Sequence, residues 1–147
     1  MNKELRSFED ILREKGFLLY TNQGTSMWPL IKEGKDILVI TNDVSQIRKG
    51  DIILTKRPSG RYLLHRVIRI CKDGTFVICG DNSYKCDKNI KKTEILGKLS
   101  SLLRNGKRNN LNGFKYNVYT FVLCHFFCVR KPLLKLIKLI HPIYELQ

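Results

Sequence analysis

The segment YLLHRVIRI, residues 62–70, decides the fold because it is rich in apolar and β-branched side chains and is bounded by turn residues. Such a composition is typical of a strand in a sheet. Side chains alternate along a strand, so His65 shares one face with Leu63 and Val67. A lone histidine in a strand is usually structural, and His65 therefore needs partners from elsewhere before it can be given chemistry.

Similar segments lie on both sides, and turn signals (EGKD, RKGD, PSGR and KDGT) separate them. The predicted strands are residues 17–21, 36–41, 51–57, 62–70 and 75–80, with a final strand pair within residues 94–107. Before them, Ser7 and Asp10 have the spacing of a capping box, and Gly16 is suited to end a helix. The pattern predicts a mainly β fold with a short N-terminal helix.

The composition suits one compact domain of 147 residues with a net charge of +14. Such an excess of lysine and arginine favours an anionic partner. The five cysteines form no CxxC pair, which favours buried or idle thiols in a reducing compartment over a zinc site. No metal or cofactor is predicted. The charged N-terminal residues 1–16 contain no apolar segment, so we expect the chain to be cytoplasmic and not anchored at that end.

From Asn117 onward the composition changes. Residues 118–129 are almost wholly apolar, and lysines at helical spacing follow, among them Lys135 and Lys138. The apolar run is shorter than the roughly 20 residues that a spanning helix needs. It predicts either a buried helix or an interfacial helix whose lysines lie among lipid headgroups. Peripheral attachment to an anionic membrane, at the inner face, is favoured over spanning.

These observations divide the chain into three predicted parts: an N-terminal helix (1–16), a β-domain (17–107) and a basic, apolar helical tail (108–147). No internal repeat is visible.

The segment GTSMWPLI, residues 24–31, places one serine in a tight loop. A serine hydroxyl is inert near neutral pH unless a base takes its proton. His65 can be that base, because an imidazole with a pKa near 6.5 accepts a proton at neutral pH and returns it to a leaving amine. A carboxylate behind the imidazole would orient it, and Asp81 and Asp87 in the segment GDNSYKCD are the candidates. His125 and His141 belong to the tail, where a packing or surface role is expected.

In order and spacing, GTSMWPLI, KGDIIL, YLLHRVIRI and CGDNS resemble the type I signal peptidases and the related SOS-type self-cleaving repressors. The resemblance runs from Gly24 to about Asp87, and the barrel-like β-fold would extend to about Lys107. Most bacterial members use a serine–lysine dyad, whereas the endoplasmic-reticulum and archaeal type has a histidine at the position of His65. The chain is therefore similar to short, stand-alone bacterial members of the serine–histidine branch.

The resemblance implies a role for each site residue. Ser26 would be the nucleophile, His65 the general base and Asp87 its support, with Asp81 as the second candidate. The Ser26 N–H would stabilise the oxyanion, whereas the hydroxyl donor of some relatives is missing because Gly24 stands in its place.

Met27 and Pro29 would line the groove where a peptide substrate adds as a strand, although Met27 can equally be a core residue. Trp28 is assigned no chemistry.

Three hypotheses follow. The first is a serine endopeptidase that removes a leader or pro-segment from a peptide or protein. The second is a non-catalytic basic protein on the same fold that contacts anionic lipid or nucleic acid; nucleic acid is not favoured, because no helix-turn-helix pattern is found. The third, a self-cleaving regulator, would need a DNA-binding domain and a cleavable linker before Ser26, for which the preceding residues are too few.

Overall fold

The computed structural model describes residues 6–140, except for the side chains of residues 127–129, 131, 137, 138 and 140. His141 therefore lies outside the described residues, as do the side chains of Cys128 and Lys138. The elements are α1 (Phe8–Lys15), β1 (Phe17–Thr21), β2 (Asp36–Thr41), β3 (Ile52–Lys56), β4 (Tyr62–Ile70), β5 (Phe76–Cys79), β6 (Cys86–Ile90), a 3-10 helix (Lys92–Glu94), β7 (Ile95–Arg104), β8 (Lys107–Asn109), α2 (Phe114–His125) and α3 (Phe127–Ile140).

The strands form one antiparallel eight-stranded sheet in the order β1-β2-β7-β3-β4-β5-β6, with β8 paired to β7. The mainly β fold is thus confirmed. Strands β1, β2 and β4 have the predicted bounds, and β3 and β5 are one residue shorter at each end. The predicted final strand pair is β7 with β8.

The N-terminal helix also begins and ends as predicted. The Ser7 hydroxyl accepts a hydrogen bond from the Asp10 N–H at 3.2 Å, which caps the first turn. Gly16 has a left-handed φ of 77°, and its N–H donates to the Leu12 carbonyl at 2.9 Å. Leu12 is the buried residue of this helix and packs in the core below the sheet.

Strand β6 was not predicted from the sequence. Its residues, CDKNI, are partly or fully exposed and show no apolar alternation, so the pattern that identifies half-buried strands is missing. Its pairing comes from the neighbouring strand, because Cys86 and Asp87 lie opposite Cys79 and Ile78 of β5. β6 is therefore an edge strand, and it carries Asp87.

The core has two apolar clusters, and strand β3 contributes to both. Ile52 and Leu54 point into the larger cluster, and Ile53 points into the smaller one. A strand buried on both faces has an unbroken apolar run instead of an alternating one. Burying each such side chain stabilises the fold by roughly 1.5–3 kcal/mol. Strand β3 therefore links the two clusters of the core.

The tail forms two helices rather than one, because Phe126 has a non-helical backbone between α2 and α3. The apolar run of residues 118–129 is split between them. None of the described helices combines the length and the apolar content that crossing a bilayer requires. Helix α2 packs against β4, which brings the tail to the strand that carries His65.

Candidate active site

Ser26 lies in the loop between β1 and β2. Two contacts anchor this loop: Met27 packs in the core, and Asn82 bonds to the loop backbone. Met27 is fully buried in the larger core cluster, and its carbonyl accepts a hydrogen bond from the Ile31 N–H at 3.0 Å. From the side, the Asn82 N–H donates to the Ser26 carbonyl at 2.8 Å, and its side-chain amide donates to the Thr25 carbonyl at 3.2 Å. The turn after β5 therefore fixes the backbone of the serine loop.

Ser26 and His65 meet at Gly80. A Cβ built on Gly80 would lie 3.1 Å from Ser26 Cβ and 3.1 Å from His65 Nε2, so these two atoms cannot be further apart than twice that distance. In the described part of the chain, His65 Nε2 has no hydrogen-bond partner, and the Ser26 hydroxyl is not bonded to it. Ser26 and His65 therefore lie side by side at Gly80, and catalytic groups often come within hydrogen-bond distance of each other only when substrate is bound.

Asp87 lies on the other side of the imidazole. Its Oδ2 is 3.3 Å from His65 Nδ1, which is ion-pair distance, although the angle does not meet hydrogen-bond geometry. The Asp87 carboxylate also forms a salt bridge with Arg57, at the end of β3. Asp87 is thus shared between a half-exposed guanidinium and a buried imidazole.

These surroundings set the protonation of His65. Burial lowers the pKa of His65 below its ordinary value of 6.5, because desolvation disfavours the imidazolium. The Asp87 carboxylate opposes the shift, and the Arg57 guanidinium adds to it. A lowered pKa keeps the ring neutral at pH 7, which is the form that a general base needs.

Asp81 is placed differently from Asp87. Its carboxylate is fully buried and accepts two hydrogen bonds from Arg66, from Nε at 2.8 Å and from Nη2 at 2.7 Å. Tyr119 of α2 donates to it at 3.0 Å, and Arg130 of α3 lies 3.8 Å away. The structure thus brings Asp87 to the imidazole and engages Asp81 in a buried ion pair. A direct catalytic role for either remains a prediction.

Helix α2 completes the surroundings of Arg66. The Arg66 Nη1 donates to the Gly50 carbonyl at 2.9 Å, to Tyr116 at 3.0 Å and to Thr120 at 3.2 Å. Arg130 of α3 donates to Cys79 Sγ at 3.0 Å, on the last residue of β5. The tail helices therefore clamp the start of the turn that holds Gly80 and Asn82.

A cleft of about 530 Å³ opens beside Ser26, within the size range of ligand sites. Aromatic and polar side chains line it, including Phe8 of α1, Tyr62 of β4 and Arg61. Met27 does not line the cleft. It packs as a core residue, which was the alternative role that the sequence analysis considered for Met27. Pro29 is half-buried outside this lining, and its role in substrate binding remains a prediction.

The described cysteines are free thiols: Cys71, Cys79, Cys86 and Cys124. Burial, with Cys86 adding to it, raises the pKa of Cys79 to about 12, so this thiol is protonated at neutral pH. Within the described residues, no three potential metal ligands cluster. The reducing compartment remains a prediction.

Four residues of the site were missed by the sequence reasoning: Arg57, Arg66, Gly80 and Asn82. For Arg66 a signal existed, because an arginine in an apolar strand has to find a buried partner. Gly80 and Asn82 stand in the quoted GDN turn, but their contacts with the serine loop depend on long-range packing. For Arg57, no signal in the sequence indicated a role at the site.

A mainly β sheet with a serine loop facing a strand histidine has the architecture of a peptidase-type domain. A model of the family described as Peptidase S24-like matches residues 3–100, more than half of the chain, and the chain belongs to this family. The match ends within β7, so α2 and α3 lie beyond it. No curated protein and no solved structure matches the chain. The resemblance to this superfamily is thus confirmed, whereas the finer serine–histidine branch rests on His65 alone.

Gly80→Ala should strongly reduce reactivity at Ser26. The added Cβ would lie 2.6 Å from the Ser26 carbonyl oxygen, so the serine loop has to move away from His65. Displacements of this size cost up to about 100-fold in rate, and we expect a loss of at least tenfold. The measurement is the rate at which a fluorophosphonate probe labels Ser26. Gly113→Ala is the matched control because a Cβ there meets nothing within 4 Å; equal rates in both variants would contradict the expectation.

Arg57→Gln should shift the acid limb of the pH–rate profile to higher pH. With His65 as the predicted base, the labelling rate should fall when His65 becomes protonated, and in the unaltered chain the midpoint should lie below 6.5 because burial lowers the pKa of His65. Removing the Arg57 charge raises the pKa of His65, whereas Asp87→Asn lowers it. The pH dependence of probe labelling measures both shifts. Arg69→Gln removes the same charge from an exposed position on β4 and should leave the midpoint unchanged; identical midpoints in all variants would argue against His65 as the base.

Proposed function

We propose that the protein is a serine endopeptidase in which Ser26 is the nucleophile, His65 the general base and Asp87 the group that orients the imidazole. The observation that carries the proposal is the convergence of Ser26 and His65 Nε2 on Gly80, with Asp87 at the other ring nitrogen. Acyl transfer by a serine uses a nucleophile, a base beside it and a group that orients the base, and the arrangement around Gly80 supports these three roles. Membership of the Peptidase S24-like family supports this reading.

The chemistry follows in two steps. Ser26 Oγ attacks the scissile carbonyl carbon while His65 Nε2 takes the hydroxyl proton. The tetrahedral intermediate then collapses, the C–N bond breaks, and the imidazolium gives its proton to the leaving amine. In the second step, water attacks the ester on Ser26 with His65 again as the base, which releases the acid and restores the serine.

The oxyanion would be stabilised by the backbone N–H of Ser26. Two hydrogen bonds from Asn82 hold the carbonyls of Thr25 and Ser26, so the direction of the loop backbone is fixed before substrate arrives. Preorganised donors of this kind lower the barrier by about 3 kcal/mol each. Asn82 thus acts as a positioning residue for the oxyanion donor.

The substrate we propose is a peptide leader or pro-segment. The cleft beside Ser26 is lined by residues 62–64 of β4 and by Phe8 of α1. A strand in the cleft wall suits an extended peptide, and the aromatic lining suits apolar side chains near the cut. The serine–histidine branch of signal-peptidase-like enzymes is the finer class that His65 supports.

Ser26→Ala should abolish both covalent labelling by a fluorophosphonate and cleavage of peptide substrates. In the labelling reaction the Ser26 oxygen bonds to phosphorus, fluoride leaves, and His65 takes the proton. Mass spectrometry of the intact chain and of its peptides measures the adduct and its position. We expect His65→Gln to slow labelling by about 100-fold or more.

Ser59→Ala is the matched control, because Ser59 is an exposed serine in the β3–β4 connection close to the same cleft. It should label as the unaltered chain does. Labelling that persists in Ser26→Ala would refute the proposed nucleophile. A folded, unaltered chain that neither labels nor cleaves would instead favour the non-catalytic binding protein.

A further inference from the structure

Helix α2 presents an apolar face to solvent. Phe114, Val118 and Phe121 are spaced by four and three residues, so they lie on one side of the helix, and they are 83%, 46% and 54% exposed. The opposite side carries the buried Leu123 and the hydroxyl-bearing side chains that bond to the Arg66–Asp81 pair, so it is the side that the helix buries in the domain. Exposed apolar side chains grouped on the other side of such a helix indicate an interaction site. The outer face of α2 is therefore a candidate docking surface.

Helix α3 also exposes apolar side chains. Leu136 and Leu139 are 54% and 80% exposed and stand one helical turn apart. Phe126, between the two helices, is 45% exposed. The Phe126 and Phe121 rings meet edge to face with centroids 6.1 Å apart, and exposed apolar side chains that lie together mark interaction sites in soluble domains. We call these residues of α2 and α3, together with Phe126, the tail face.

The tail face cannot be buried by rotating α2. Tyr116 and Thr120 accept hydrogen bonds from Arg66, and Tyr119 donates to Asp81. Turning the outer phenylalanines inward would break these contacts with a buried ion pair. The polar contacts thus select which side of α2 meets the sheet, and they leave the tail face outward.

The positive charge around the tail face indicates which kind of partner binds there. Residues 95–140 contain no aspartate or glutamate, and their basic residues are Lys98, Arg104, Lys107, Arg108, Lys115, Arg130, Lys131, Lys135 and Lys138. Lys115 adjoins Phe114 on α2, Lys135 adjoins Leu136 on α3, and both are exposed. Apolar side chains surrounded by cations are typical of helices that lie in the interface of an anionic bilayer. A second copy fits poorly, because it would bring the same cations face to face.

We propose that the tail face docks the protein on the surface of an anionic lipid bilayer. Phe114, Phe121 and Leu139 enter the boundary between headgroups and acyl chains, and Lys115 and Lys135 contact lipid phosphates. The binding is peripheral. It is independent of the proposed peptidase chemistry, because none of these side chains belongs to the site around Ser26.

The test is co-sedimentation of the full chain with vesicles of phosphatidylcholine alone and of phosphatidylcholine with phosphatidylglycerol. We expect binding to the anionic vesicles that weakens with added salt, and little binding to the neutral ones. The double variant Phe114→Ser/Phe121→Ser should bind at least about tenfold more weakly, and so should Lys115→Glu/Lys135→Glu. All variants alter exposed side chains, and circular dichroism checks that they remain folded.

Matched controls are Leu19→Ser/Ile70→Ser, which removes two exposed apolar side chains from the sheet, and Lys35→Glu/Lys72→Glu, which makes the same charge change in turns outside the tail helices. Both should bind as the unaltered chain does. Equal loss in test and control variants, or no loss in either, overturns the proposal. A tail-face variant that loses self-association, measured by light scattering, while its vesicle binding is unchanged also overturns it, because the face then joins copies of the chain.

Discussion

The buried ion pair between Arg66 and Asp81 is the interaction on which the rest of the structure depends. Both side chains are fully buried and are joined by two hydrogen bonds. Burial alone would lower the pKa of Arg66, but the Asp81 carboxylate holds it above its ordinary value, so the guanidinium stays charged. Removing one partner of such a pair commonly costs about 3–5 kcal/mol, because the other charge is left uncompensated.

The pair connects the candidate site to the tail through strand geometry. His65 and Arg66 are neighbours on β4, so their side chains point to opposite faces: His65 toward Ser26 and Gly80, Arg66 toward α2. Asp81 follows Gly80 in the turn whose next residue, Asn82, binds the serine loop. The ion pair therefore holds together β4, the turn after β5 and the helices α2 and α3. The two helices lie beyond the residues that the family model matches. The same contacts hold the outward orientation of the tail face, so site and docking surface depend on one buried charge pair.

The sequence predicted the elements whose signals are local. The Ser7 and Gly16 caps and the apolar strands β1 and β2, which turn residues bound, have signatures within a few residues, and they were predicted with their bounds. It failed for β6, which is held by pairing with β5 and not by apolar alternation. At the site, Ser26 and His65 could be selected as candidates from residue chemistry and resemblance. The sharing of Asp87 with Arg57, and the separate placement of Asp81, depend on packing between distant segments, which residue spacing does not encode.

The most direct test of this account is the rate of Ser26 labelling in folded Asp81→Asn, compared with Leu102→Ala. Leu102 is a buried core residue of β7, and its truncation costs stability, about 2–5 kcal/mol, without touching the turn. With urea unfolding used to confirm that both variants are folded in buffer, Asp81→Asn should label at least about tenfold more slowly, whereas Leu102→Ala keeps the rate of the unaltered chain. A folded Asp81→Asn that labels at full rate would contradict the account, because the ion pair would then not hold the serine and the histidine together.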